Sequence, residues 1–201
     1  MENLQLHNPD NPCHQKSVSD RKFVIFDLDG TLIDSFECVL RCVNKTLDTF
    51  VLPHVKISPS ERSNDIDVIF EKVKETIKNK VSFNNFKALF DSIHLDDCIE
   101  NVGCFIAASQ QMIEHNDDKK IIVILTNKKD NIAKKIMAIL YPDITPIIIG
   151  RQGMASFKTK SVIYTELSNR GIPAHDCVCY YGDSYLDFEL ANYLRIPFRR
   201  L

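Results

Sequence analysis

The sequence predicts an α/β fold: a parallel sheet with helices on both faces, carrying an all-helical insert after its first strand. Three observations predict it. Phe23-Val24-Ile25-Phe26 is a short unbroken apolar run that halts at Asp27-Leu28-Asp29-Gly30-Thr31, as a strand buried on both faces does where it enters a loop. From about residue 117 onward, apolar runs of strand length alternate with segments of helical spacing. Between these two stretches, residues 35–116 show helical periodicity alone.

Composition sets the bounds. The chain of 201 residues suffices for one domain with a modest insert, and 44% hydrophobic residues can build a core, which excludes disorder as the overall state. Lys and Arg number 25 against 27 Asp and Glu, a net charge of -2, so no general field recruits nucleic acid or an acidic membrane. Any polyanionic ligand must be held by a local site. The 7 cysteines show neither a C-x-x-C pair nor a zinc-ribbon spacing, which fits a reduced, cytoplasmic or otherwise intracellular setting. Residues 1–20 are polar and aperiodic, a leader expected to be disordered, and they lack the apolar core of a signal peptide. Nowhere do about 18 apolar residues run together to span a bilayer.

Within the insert, Phe36, Val39/Leu40, Val43, Leu47 and Phe50/Val51 form one helical stripe, and Ile66, Phe70, Val73 and Ile77 a second. Phe83, Phe86, Phe90 and Ile93 form a third, and Leu95, Ile99, Val102, Ile106, Ser109 and Ile113 a fourth. Pro53, Pro59 and Asn84-Asn85 mark the connections, so the block reads as a small antiparallel bundle. Downstream, the pattern predicts a strand over 121–125, a helix over about 130–140, a strand over 146–149, a helix over about 161–169, a strand over 177–181 and a helix over 186–194. Cys177 and Cys179, two apart on one strand, are expected on one face as small core residues. Lys128 and Lys129, like Lys119, Lys120, Lys134 and Lys135, are expected to solvate one βα unit.

The chemistry starts where the first strand ends. Asp27 and Asp29 stand two apart, and buried carboxylates are costly to leave charged without a cation or a shared proton. In that position Asp27 can face a phosphorus atom as a nucleophile, while Asp29 can donate a proton to the leaving group and later accept one. Gly30 permits the tight turn.

The run D-L-D-G-T-L-I-D at 27–34 resembles the first motif of the haloacid dehalogenase-like hydrolase superfamily, and the rest of the chain agrees in order. The family's second motif has a Thr or Ser at a strand end whose hydroxyl, with neighbouring backbone N–H groups, binds a phosphoryl oxygen; the matching positions are Thr126 and Asn127. The third motif is a Lys near a helix start. Lys158 and Lys160 both qualify, and the resemblance favours Lys158, 25 residues before Asp183, to stabilise the nucleophile and the transferring charge. Tyr181-Gly182-Asp183-Ser184-Tyr185-Leu186-Asp187 resembles the G-D-S-x-x-D fourth motif. Two acids four apart at a strand-to-helix turn can face one cation, and hard oxygen donors suit Mg²⁺. Asp183 is then the direct ligand, together with the Asp27 side chain and the Asp29 carbonyl, while Asp187 acts through its neighbours or through water.

The resemblance covers residues 22–34 and 118–198. It implies a Rossmann-like core (21–34 and 117–201) under a helical cap (35–116), and a Mg²⁺-dependent phosphatase working through an aspartyl phosphate on a small phosphorylated metabolite. Nucleic-acid and membrane partners are not expected. Two alternatives stay open: a protein phosphatase acting on phosphotyrosine, suggested by the leader, and an inactive module that docks a partner through cap or leader. A phosphomutase would share every core residue. Family members usually continue past the last motif with another strand, so the ending Phe198-Arg199-Arg200-Leu201 leaves room for a longer parent chain.

Overall fold

The computed structural model describes residues 21–58, 61, 67–101, 103–151 and 159–201. The polar leader and Lys158 lie outside the described residues. In chain order the elements are β1 (Phe23–Phe26), β2 (Ile33–Asp34), α1 (Phe36–Thr49), α2 (Asp67–Ile77), α3 (Phe83–Asn101), β3 (Gly103–Cys104), α4 (Ile106–Asp117) and β4 (Ile121–Lys129), followed by α5 (Asp130–Leu140), β5 (Ile147–Arg151), α6 (Lys160–Asn169), β6 (Cys177–Gly182), α7 (Tyr185–Leu194) and β7 (Phe198–Arg200). Five strands form one sheet in the order β5-β4-β1-β6-β7, and every pairing is parallel.

β1 lies at the centre because its four residues are all buried, and only a strand covered on both faces can use an unbroken apolar run. Its side chains alternate between two cores. Val24 and Phe26 join Ile122 and Ile124 of β4 under α4 and α5, while Phe23 and Ile25 join Val123, Leu125 and Tyr180 against α6 and α7. The chain adds β4 and β5 on one side of β1, then crosses to build β6 and β7 on the other. The crevice at the carboxyl end of β1 is therefore the switch point at which α/β sheets of this kind bind ligands.

The helical insert shares the first of these cores. Leu28, Leu32, Ile33 and Phe36 connect the sheet to Val39, Val43 and Leu47 of α1, Ile69 and Val73 of α2, and Phe86 and Phe90 of α3. The i, i+3, i+4 spacing of the α1 residues puts them on one face, which packs against α3.

Three local expectations change. The fourth stripe of the insert is not one helix: its first part continues α3 and its last part is α4, because the chain is extended at Gly103–Cys104, where it pairs antiparallel with Ile33–Asp34. The Phe105 N–H also donates to the Leu32 carbonyl at 3.0 Å, and α4 buries Ala108 and Met112 against the sheet side. Cys177 and Cys179 do not share a face. The register of β1 against β6 slips between Phe23 and Val24, so an extra residue sends Cys177 to one core and Cys179 to the other. β4 runs on to Lys129 rather than stopping at Leu125. Among the described residues, no helix is long and apolar enough to cross a membrane.

Candidate active site

Asp27 is the first residue beyond β1, and its N–H donates to the Tyr181 carbonyl at 2.9 Å, extending the ladder toward β6 by one rung. Asp27 is only 4% exposed, and its carboxylate accepts the Thr31 hydroxyl at 3.4 Å. The loop then turns sharply: the N–H groups of Leu32 and Ile33 both donate to the Leu28 carbonyl at 3.0 Å, and that of Gly30 donates to the Ile33 carbonyl at 2.9 Å. Gly30 has φ +82°, a conformation L side chains rarely adopt, and a Cβ there would come within 2.4 Å of Asp183 Oδ2. The turn thus brings the backbone of Asp27–Thr31 onto the carboxylate at the end of β6.

The carboxylates of Asp27, Asp183 and Asp187 are buried and gather within 4.8 Å of one another. Asp187 is held at both oxygens. The Tyr180 hydroxyl donates to Oδ1 at 2.7 Å, and the Ser184 hydroxyl to Oδ2 at 2.6 Å, while the Asp187 N–H donates back to Ser184 Oγ at 3.2 Å to complete a capping box on α7. Together with Asp27 and Asp183 it forms a buried set of hard-oxygen donors whose chemistry fits Mg²⁺.

On the other flank, Thr126 Oγ1 donates to Asp29 Oδ2 at 3.4 Å and accepts the Lys128 N–H at 3.0 Å. Lys128 Nζ lies 2.9 Å from Asp29 Oδ1. Lys128 is buried, not a solvating surface lysine, because the longer β4 keeps the two-residue alternation going and places Lys128 on the same side as Thr126. Reading Thr126-Asn127-Lys128 as strand would have found it.

Next to Asp29 lies a cavity of about 50 Å³ between α3 and the ends of β4 and β5. The sequence reading missed its charged wall. Asp91 meets Lys129 at 2.9 Å, Arg151 at 3.4 Å and Lys87 at 3.6 Å. Lys87 lies over the rings of Phe70 and Phe90 at 4.4 and 4.3 Å, and burial pulls its pKa down to about 8. His94 stacks on Phe90 with its Nε2 3.5 Å from Lys128 Nζ. Burial, helped by the positive charge of Lys128 and Lys87, pushes the His94 pKa down to about 2, so the ring is neutral and its Nε2 can accept. The signal was present in the i, i+4, i+7 spacing of Lys87, Asp91 and His94, which gives the apolar third stripe a polar edge.

Across residues 24–199 the chain fits the family described as haloacid dehalogenase-like hydrolase, and it belongs to that family. No curated protein matches the sequence significantly. Among solved structures it resembles CbbY from Rhodobacter sphaeroides in complex with phosphate, with 13% identity, a TM-score of 0.69 and coverage of 90% of this chain and 85% of that one. A predicted phosphoglycolate phosphatase from Haemophilus somnus is similar at 18% identity and TM-score 0.68, covering 90% and 85%. A haloacid dehalogenase-like family hydrolase from Streptococcus pneumoniae follows at 17% and 0.65, covering 89% and 83%. These likenesses establish the fold, and the family model establishes a hydrolase.

Proposed function

We propose that this hydrolase is a Mg²⁺-dependent phosphatase that cleaves small phosphate monoesters through an aspartyl phosphate on Asp27. The observation that carries the reading is the convergence of Asp27 and Asp183 at the ends of adjacent central strands, with Asp29, Thr126 and Lys128 on the opposite flank. Mg²⁺ would be held by the Asp27 and Asp183 side chains and the Asp29 carbonyl, and when bound it offsets the repulsion between an anionic carboxylate and an anionic phosphate.

Asp27 attacks phosphorus as the bond to the leaving oxygen breaks, and Asp29 gives that oxygen its proton. Asp29 then takes a proton from water as the water oxygen attacks the aspartyl phosphate, releasing inorganic phosphate and restoring Asp27. Thr126 and Lys128, which hold Asp29, would turn to the phosphoryl oxygens, with the Asn127 backbone beside them. An arriving phosphate exchanges these partners and frees Asp29 to carry a proton. Lys158 or Lys160 supplies the further positive charge that the third motif provides. Asp187, clamped by Tyr180 and Ser184, fixes the loop that presents Asp183.

The insert serves as the cap. We place it between Ser35 and residue 102, with the β2–β3 ribbon as its hinge and α4 belonging to the core. The cavity beside Asp29, of about 50 Å³, is where the leaving group would lie. The test is phosphate release from a panel of small esters with and without Mg²⁺, in the parent and in Asp27→Asn. Loss of several decades of turnover in a variant that melts like the parent is expected. Activity within about tenfold of the parent removes Asp27 as the nucleophile.

A further inference from the structure

We propose that Cys38, Cys42 and Asp97 form a Zn²⁺ site that ties α1 to α3 within the helical insert. None of the three takes part in the phosphatase chemistry above, so the two readings stand or fall separately.

Placement comes first. Cys38 and Cys42 stand four apart on α1, so their side chains lie one above the other on a single helix face. Both are free thiols and both are buried, at 2% and 0% exposure. Asp97 comes from α3, the helix against which α1 packs. One sulfur from each cysteine and a carboxylate oxygen of Asp97 gather within 4.8 Å of one another, and Cys42 Sγ donates to Asp97 Oδ2 at 3.3 Å.

Dimensions come second. In a tetrahedral site with Zn–S of about 2.3 Å and Zn–O of about 2.0 Å, sulfur and oxygen sit about 3.5 Å apart and the two sulfurs about 3.8 Å apart. The Cys42–Asp97 edge already has that length. The remaining edges need to shorten by no more than about 1 Å, a side-chain adjustment within one helix pair. Asp97 keeps 14% of its side chain exposed, so the ion enters from that side and water takes the fourth position.

Charge comes third. Three anionic ligands around a divalent ion leave one negative charge in excess, which is costly to bury alone. Two cations stand where they offset it: Arg41 Nε lies 2.8 Å from Asp97 Oδ2, and Lys45 Nζ lies 2.7 Å from Oδ1. Arg41 is also near enough to both sulfurs to be stabilised by charge on either. Its Nη2 is buried with no hydrogen-bond partner among the described residues, and a thiolate is a far better acceptor for it than a thiol. Binding balances without an oxidant: as the two Zn–S bonds form, the two thiol protons pass to solvent, and the total charge of the cluster stays the same. Thiolates select Zn²⁺ over Mg²⁺, which keeps to oxygen ligands, so the two ions sort between this site and the carboxylates at the strand ends.

The experiment titrates the reduced, chelator-treated full chain with Cd²⁺, a spectroscopic stand-in for Zn²⁺, in excess Mg²⁺. The readout is the ultraviolet thiolate-to-metal charge-transfer band, which carboxylates do not produce. The parent should develop the band with one Cd²⁺ per chain, and Zn²⁺ should compete it away. Cys38→Ser and Cys42→Ser should abolish it. Asp97→Asn should weaken binding at least about tenfold, the loss that even a residue behind a ligand causes. Cys104→Ser, which removes an exposed thiol, should leave the band unchanged. Zn²⁺ at about a hundredfold over its Kd should raise the melting temperature of the parent by about 5 °C or more, and that of Cys42→Ser by much less.

No band in the parent, or a band that survives the loss of Cys38 or Cys42, overturns the proposal. Loss of the band in Cys104→Ser overturns it too, since the ion would then be held by surface thiols. Should a cysteine variant fail to fold, alkylation of the parent decides: Zn²⁺ should slow the labelling of Cys38 and Cys42 relative to Cys104, and unchanged relative rates refute the site. Phosphate release is not a readout here, so a missing band leaves the phosphatase reading intact and an inactive phosphatase leaves this site intact.

Discussion

Gly30→Ala is the sharpest probe of how the turn after β1 builds the site. A Cβ at this position would sit 2.4 Å from Asp183 Oδ2 and 2.8 Å from its Cγ, where ordinary contact starts near 3.4 Å. The carboxylate must therefore retreat by about 1 Å, and a misplacement of that size in a reacting constellation costs about 10²-fold in rate. The backbone adds its own penalty, since φ +82° strains any L side chain by about 1–2 kcal/mol. In a chain of this length each kcal/mol lowers the melting temperature by about 2–4 °C.

Gly171 separates the two effects. It also has positive φ, +66°, but a Cβ there meets nothing within 4 Å. Gly171→Ala should melt a few degrees early with parental kcat/KM. Gly30→Ala should melt early as well, and should in addition lose about 10²-fold in kcat/KM and need more Mg²⁺ for half-maximal rate. The assay is phosphate release over a Mg²⁺ titration, beside a thermal melt of each variant. Gly30→Ala within about threefold of the parent, or a Gly171→Ala that loses as much activity, would refute the claim that the turn positions Asp183.

Two further outcomes follow from the same geometry. Asp183→Ala should raise the Mg²⁺ concentration for half-maximal activity by at least about tenfold, and an unchanged requirement moves the ligand elsewhere. Lys87 titrates near 8 in the folded chain against 10.5 ordinarily, its burial outweighing the attraction of Asp91 while Arg151 and Lys128 push the same way as burial. Between those values the unfolded chain keeps a proton that the folded chain has lost, so the penalty is full below about 8 and is relieved as pH rises. Urea unfolding should therefore show the parent gaining stability relative to Lys87→Met from pH 8 toward 10.5, and parallel curves would show that Lys87 is not desolvated.

The sheet was legible because its signal is local. A fully buried strand such as Phe23–Phe26 announces itself by unbroken hydrophobicity, and the acids and glycine that follow mark the site at its end. What the sequence concealed depends on contacts between distant segments. The β2–β3 ribbon joins two pairs of residues some 70 positions apart, too short to leave a pattern, and it splits a stripe that looked continuous. The slip between Phe23 and Val24 is likewise set by how β1 fits β6, not by the Cys177-Val178-Cys179 spacing. Lys87, Lys128, Lys129 and Arg151 escaped notice for a related reason. A lysine in a mixed segment reads as solvated by default, and only the packing of α3 onto the ends of β4 and β5 turns these four into one cavity wall.

That wall also links α3 to the site. Lys128 touches both sides: its ammonium lies 2.9 Å from Asp29 and 3.5 Å from the neutral ring of His94 on α3. Drawing α3 away would remove the His94 acceptor and expose Lys128 to water, weakening its hold on Asp29 by raising the local dielectric. Closing α3 does the reverse, and Asp91 reinforces closure by meeting Lys129 and Arg151 of the core. Electrostatics inside the site would therefore be strongest with α3 packed against the ends of β4 and β5. Substrate binding that holds α3 against the ends of β4 and β5 would favour that state and set the field in which Asp29 exchanges its proton.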